Sequence, residues 1–196
     1  MARWRNWHTC IIQNDDFKGS TPFRATQIIN KMIQFKVGNI IDEQCDCIVN
    51  STNAELAWEE TTLNGDILNA GGLGLINHLI RYHKYHGDLK VGHTIITPGY
   101  ELNAKYVLHT YCPVWEGGNY NEIELMQWCY KSIFNLADVY NIKTLSIPSI
   151  GTGVFNWPIK LSAYLGIEEA KLNNNIDTTF VLYTTEIKQL YESVLE

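Results

Sequence analysis

Two glycine-lined turns are the parts of this 196-residue chain whose residue types and spacing could do chemistry. In LSIPSIGTGVFNWP, Leu145 to Pro158, alternating Leu145 and Ile147 read as a buried strand and Pro148 to Gly153 as an irregular loop. Asn156-Trp157-Pro158 reads as a helix start, because Asn is a good N-cap and Pro is tolerated in the first helical turn. A strand, a glycine-lined loop and a helix start together make an anion cradle, with free backbone N–H groups outward and room for a phosphate to come close. A lone Gly-x-Gly is most often only a tight turn. Here a second turn follows Cys47-Ile-Val-Asn-Ser-Thr-Asn53 and reaches Gly71-Gly72-Leu73-Gly74. Two cradles facing one crevice suit a diphosphate, and their pairing points to a nucleotide-like ligand.

The remaining candidate ligating groups point elsewhere. Five cysteines, Cys10, Cys45, Cys47, Cys112 and Cys129, form an odd set without repeated spacing and make a poor disulfide framework. Cys45-Asp46-Cys47 runs into Ile48-Val49, so both thiols read as buried on one strand face. His83 and His86 come nearest to metal spacing but have no third ligand beside them, and no metal is expected. The net charge of −6 argues against general nucleic-acid binding, which needs a basic footprint. A small anion would be held by backbone amides and helix dipoles, the nearest cationic side chain being Lys160. The start MARWRNWHTC lacks the apolar core of a signal peptide, and no apolar run approaches a membrane span. An intracellular, cytoplasmic protein without a membrane partner is expected.

The elements that must position these loops follow a regular alternation. The length suits one domain that buries roughly 70% of its unfolded surface. Strands are expected at Ile33 to Val37, Cys45 to Asn50, His93 to Thr97, Tyr106 to Thr110, Lys143 to Pro148 and Thr179 to Tyr183. Ser51 to Ala70 reads as loop, after which Gly71-Gly72 opens a helix with Leu73, Ile76, Leu79 and Ile80 at helical spacing. Further helices are expected from about Asn121 to Tyr140, from Pro158 to about Leu172, and from Glu186. Trp4, Trp7, Ile11 and Ile12 read as a strand or packed arm, with a short helix around Gln27 to Met32. Strands alternating with helices imply an α/β fold of three layers, α/β/α, on a mixed, largely parallel central sheet, whose ligands sit outside the carboxyl ends of the strands.

The residues also carry a resemblance. Val49-Asn50-Ser51-Thr52-Asn53 resembles the VNAAN motif of the macrodomain family, which binds ADP-ribose. Val37-Gly38-Asn39-Ile40 resembles that family's GDI turn, and Ala70 to His78, AGGLGLINH, its GGGVDxAIH segment. Gly99 to Thr110 is similar to GYxLPAKYVIHT, and Pro148 to Pro158 to PSISTGVYGYP. The resemblance covers about Gln34 to Glu196, which divides the chain into a macrodomain over residues 34–196 and an N-terminal extension over residues 1–33 packed on it.

The resemblance implies a site, residue by residue. Asn39 and Ile40 match the positions that meet adenine, Asn39 standing where the family has Asp; its carbonyl can still accept from the adenine amino group. Asn50 and Asn53 lie in the VNAAN-like stretch, and Asn53 matches the residue that bonds the distal ribose. Gly71, Gly72, Leu73 and Gly74 match the first phosphate loop; Ser149, Ile150, Gly151, Thr152, Gly153, Val154 and Phe155 match the second, with Phe155 closing over the distal ribose. Tyr183 matches a position where an aromatic ring stacks on adenine. His109 reads as a packed, hydrogen-bonded histidine.

Family hydrolases carry an Asp in GGGVD that activates water, and this chain has Gly74 there, which cannot act as a base. Between Asn53 and Gly71 stand Glu55, Glu59, Glu60 and Asp66, and Asp66 is expected to replace the missing base. The implied function is ADP-ribose binding with hydrolysis of mono-ADP-ribose from modified proteins. The alternatives are a non-catalytic reader and a hydrolase of small derivatives such as a 1″-phosphate or O-acetyl ester. No cofactor is implied, since ADP-ribose is ligand or product; ADP-ribose or an ADP-ribosylated protein is the expected partner of a monomer.

Overall fold

Strand and helix alternate around a single six-stranded sheet in the computed structural model, which describes residues 33–195. The strands are β1 (Gln34–Val37), β2 (Cys47–Ser51), β3 (Thr94–Pro98), β4 (Tyr106–Thr110), β5 (Thr144–Ile147) and β6 (Asp177–Leu182). Their order is β1-β6-β5-β2-β4-β3, every pair parallel except β3 against β4. The helices are α1 (Leu63–His86), α2 (Glu122–Val139), α3 (Ile159–Leu172) and α4 (Thr185–Leu195). The expected 1–33 extension, with Trp4, Trp7, Ile11, Ile12 and the short helix near Gln27, lies almost wholly outside the described residues.

Apolar residues on β2, β4 and β6 alternate between two cores. Ile48, Val107 and Val181 share one with Ile67 and Leu75 of α1. On the other side, α2, α3 and α4 pack one against the next, and their buried Tyr130, Phe134 and Tyr191 cover the opposite sheet face. The result is a three-layer α/β/α sandwich. A residue that changes face on β2 changes core, so Asn50 and Thr52 stand on the α1 side with Ile48.

Helix α1 corrects the expected layout, for it starts eight residues before Gly71. Thr62 caps it, its Oγ1 accepting from the Gly65 N–H at 3.1 Å, and Leu63, Ile67, Leu68, Leu75 and Leu79 follow at helical spacing. Gly71-Gly72 does open a helical segment, from Leu73 onward, but an earlier segment beginning at Leu63 precedes it and the two run on as one helix. At Gly72 the backbone turns to φ 72° and kinks the helix; a Cβ there would also collide with the Glu101 carboxylate. At α3 the expected cap is also different: Asn156 takes a left-handed turn at φ 55°, and Pro158 precedes the first helical residue.

Candidate functional site

Strands β2 and β5 are neighbours running the same way, so the loops that leave them face each other. Between these loops lies a cleft of about 380 Å³. One wall is Ser149 with Gly151 to Phe155; the other is Glu59 with Thr61 to Asn64, where α1 begins. Ser51 and Thr52 lie between the walls, and Tyr183 and Ile187 close one end.

Both walls offer backbone donors. Among the described residues, no N–H from Trp58 to Asn64, and none from Ser149 to Phe155, is engaged by a carbonyl or side-chain acceptor. The first row ends on the N-terminus of an α-helix, whose dipole favours negative charge. Among the described residues no Lys, Arg or His lines the cleft, and Glu59 is the one carboxylate that does. An anion bound here is held by amides.

The second wall is held rigidly. Gly151 adopts φ 75° and a Cβ on it would come within 2.7 Å of Trp157, so both conformation and space require glycine. The Trp157 Nε1–H donates to the Pro113 carbonyl at 2.7 Å, and the Trp115 N–H to the Phe155 carbonyl at 2.9 Å. The Phe155 ring lies 6.1 Å from that of Tyr111. These ties anchor the wall to the segment after β4.

Behind the first wall runs a buried polar chain. The Asn50 Nδ2 donates to Asn64 Oδ1 at 2.8 Å and to His109 Nδ1 at 3.1 Å. The imidazole proton then sits on Nε2 and is given to Thr97 Oγ1 at 3.0 Å. Asn64 Nδ2 in turn donates to the Ala57 carbonyl at 2.6 Å. Burial drives the His109 pKa down to about 3, with His78 adding a smaller repulsion, so the ring is neutral.

The residues expected from sequence divide accordingly. Ser149, Gly151, Thr152, Gly153, Val154, Phe155 and Tyr183 line the cleft, Tyr183 half open to solvent with its phenol pKa raised by burial and by Asp66. Ile150 and Asn50 are fully buried beside it. Asn39 caps the turn Ile40–Asp42, its Oδ1 accepting from the Ile41 N–H at 3.3 Å, and Ile40 is core; the Gly38 N–H bonds Leu182, which places this turn next to Tyr183.

A further six of the expected site residues do not line this cleft. Gly71, Gly72, Leu73 and Gly74 lie within α1, outside the cleft; Leu73 is 74% exposed and Gly74 packs against Tyr100. Asn53 spends its amide on Ala57, accepting its N–H at 2.8 Å and donating to its carbonyl at 3.1 Å. Asp66 is exposed in the first turn of α1 and does not line the cleft. The residues that take their place are Thr52, Glu59, Thr61, Thr62 and Asn64. Thr62 followed by Leu63, Ile67 and Leu68 was the signal that could have located them.

With this geometry in place the relationships are clear. The macro domain family model matches residues 49–165. A macro domain-containing protein of Caldanaerobacter subterraneus is 33% identical over 172 residues, covering 86% of this chain and 98% of its own. The O-acetyl-ADP-ribose deacetylase of Salmonella gallinarum is 32% identical, covering 83% and 93%. Among solved structures, a variant of the Oceanobacillus iheyensis macrodomain with ADPR has a TM-score of 0.76 at 27% identity, covering 82% of this chain and 90% of that one. The Trypanosoma brucei macrodomain in complex with ADP-ribose has a TM-score of 0.75 at 25% identity, covering 84% and 69%. The chain belongs to the macrodomain family, whose members include binders of ADP-ribose and O-acetyl-ADP-ribose deacetylases.

Proposed function

We infer that this chain binds ADP-ribose in the cleft between the β2 and β5 loops. The observation that carries the reading is the pair of unengaged amide rows, Trp58 to Asn64 and Ser149 to Phe155, facing each other across a cleft that no cation among the described residues lines. Such rows suit the two phosphates of a diphosphate, and Tyr183 at one end suits stacking on adenine. Solved relatives with ADP-ribose or ADPR support the assignment.

A second observation favours hydrolysis. Of Glu55, Glu59, Glu60 and Asp66, Glu59 alone lines the cleft. Asn64 lines the cleft from the first turn of the helix that opens there. The Asn64 side chain is a neutral amide that does not take up a proton, and it is tied to Asn50 and Ala57. Glu59 therefore takes the role of general base: it accepts a proton from water attacking the anomeric carbon, the bond to the acceptor oxygen breaks, and ADP-ribose is released. Mono-ADP-ribose on a modified protein is the leading substrate; the small O-acetyl ester is the second, favoured by the Salmonella relative's activity. The same reading has the protein act as a monomer in the cytoplasm. No helix among the described residues is long and apolar enough to cross a membrane.

Calorimetry with ADP-ribose tests binding. Incubation with a protein mono-ADP-ribosylated on acidic side chains, beside the O-acetyl ester, tests turnover: loss of label establishes the hydrolase, and binding with both linkages intact identifies a reader.

A further inference from the structure

Two buried side-chain polar atoms among the described residues have no hydrogen-bond partner, and both lie at the end of one strand: Asn50 Oδ1 and Thr52 Oγ1. A buried polar atom without a partner costs free energy, so two within three residues of each other call for a partner the protein itself does not provide. Thr52 directly follows β2 and continues its ladder, so it points to the same side of the sheet as Asn50, two residues before it. Asn50 is already committed through its nitrogen to Asn64 and His109 and does not line the cleft. Thr52 does line it, while only 2% exposed as a residue. Its backbone is fixed, the N–H donating to the Thr110 carbonyl at 2.9 Å, so the hydroxyl is the part left to act.

Position and chemistry identify what it meets. Thr52 stands where β2 gives way to the first amide wall, and β5, its neighbour in the sheet, leads to the second. A group that spans both walls therefore passes the Thr52 side chain. Because no cation among the described residues lines the cleft, an anion there draws on their neutral donors, and a threonine hydroxyl is one that rotates to suit its acceptor. We propose that Thr52 is a ligand-binding residue of this site, its hydroxyl donating to a phosphoryl oxygen of a bound nucleoside diphosphate. The proposal rests on the ADP-ribose reading and adds a contact from a side chain where the similar motif, VNAAN, has alanine.

The test is calorimetry of the full chain with ADP-ribose and with ADP, together with thermal unfolding of the unliganded protein, for wild type, Thr52→Val and Thr52→Ser. Loss of one hydrogen bond to a charged oxygen predicts roughly tenfold weaker binding of both ligands by Thr52→Val. The unliganded Thr52→Val protein should melt no lower than wild type, since a partnerless buried hydroxyl becomes a methyl of the same shape. Thr52→Ser, which keeps the hydroxyl, should bind within about threefold of wild type. Unchanged affinity in Thr52→Val would overturn the assignment, and so would a lowered melting temperature with Ser as weak as Val, which marks a packing role. Weakening confined to ADP-ribose would place the hydroxyl on the distal ribose and overturn the phosphate contact. Wild-type protein that binds neither ligand would remove the functional reading itself, a separate and distinguishable failure.

Discussion

Acidification should destabilise this protein through one buried imidazole, His109. Its ring is fully enclosed, accepts from Asn50 and donates to Thr97, and burial holds its pKa down to about 3 against 6.5 in the unfolded chain. The folded state thus keeps the ring neutral while the unfolded state takes up a proton below pH 6.5. The stabilising contribution is complete above that value and is lost as the pH falls from 6.5 toward 3. Each pH unit within the window removes about 1.4 kcal/mol, which amounts to about 2 kcal/mol by pH 5. Urea denaturation at pH 7.5, 6 and 5 measures this directly, and His109→Gln isolates it, because glutamine does not titrate. The variant should be less stable at pH 7.5, yet the gap to wild type should narrow by about 2 kcal/mol at pH 5. Parallel pH profiles for the two proteins would refute the reasoning, since the acid sensitivity would then reside in other groups.

Glu59→Gln should abolish turnover of an ADP-ribosylated protein while tightening ADP-ribose binding, as removal of a negative charge beside a diphosphate is worth on the order of 1 kcal/mol; weaker binding would contradict its placement in the cleft. Asp66→Asn, by contrast, should leave turnover within about twofold of wild type, because a carboxylate outside the cleft cannot activate water there. Gly151→Ala should lower stability by about 2–4 kcal/mol in denaturant titration, combining left-handed strain with overpacking against Trp157, and should weaken ADP-ribose binding as the second wall shifts. Thr62→Ala should cost about 1 kcal/mol by removing the α1 cap, and would be expected to move the first amide row enough to be read in calorimetry.

Much of the framework was legible because strands and helices here announce themselves by period. Tyr106 to Thr110 was placed to the residue, and the apolar positions of α2 at Cys129, Ile133, Leu136 and Ala137 are buried as their spacing requires. The second wall was legible for a related reason: its glycines sit in the turn itself, and Gly151 occupies a conformation that glycine favours. The first wall was not. Gly71-Gly72 and the resemblance of Ala70 to His78 to a glycine-rich segment drew the phosphate loop toward the second helical segment of α1, while the helical spacing of Leu63, Ile67 and Leu68 behind Thr62 marks the earlier segment whose N-terminus meets the cleft. In this chain the glycines serve the α1 kink and its packing on Glu101 and Tyr100. Asn53 and Asn156 show the same limit on a smaller scale. A polar side chain near a loop has local backbone partners within reach, and Asn53 bonds Ala57 where a ligand contact was expected. The antiparallel placement of β3 follows from its short connection to β4, residues 99–105, which leaves no room for the crossover that a parallel pair needs.

The central claim is that two rows of backbone amides, with no cation among the described residues, make this cleft an ADP-ribose site. Isothermal calorimetry of the full chain with ADP-ribose, run at low and at high salt, tests it most directly. Saturable one-to-one binding that persists at high salt is the predicted result, because short-range amide contacts are screened little and the nearby charge on Glu59 opposes the ligand. No binding, or binding that collapses as salt rises, would contradict the account.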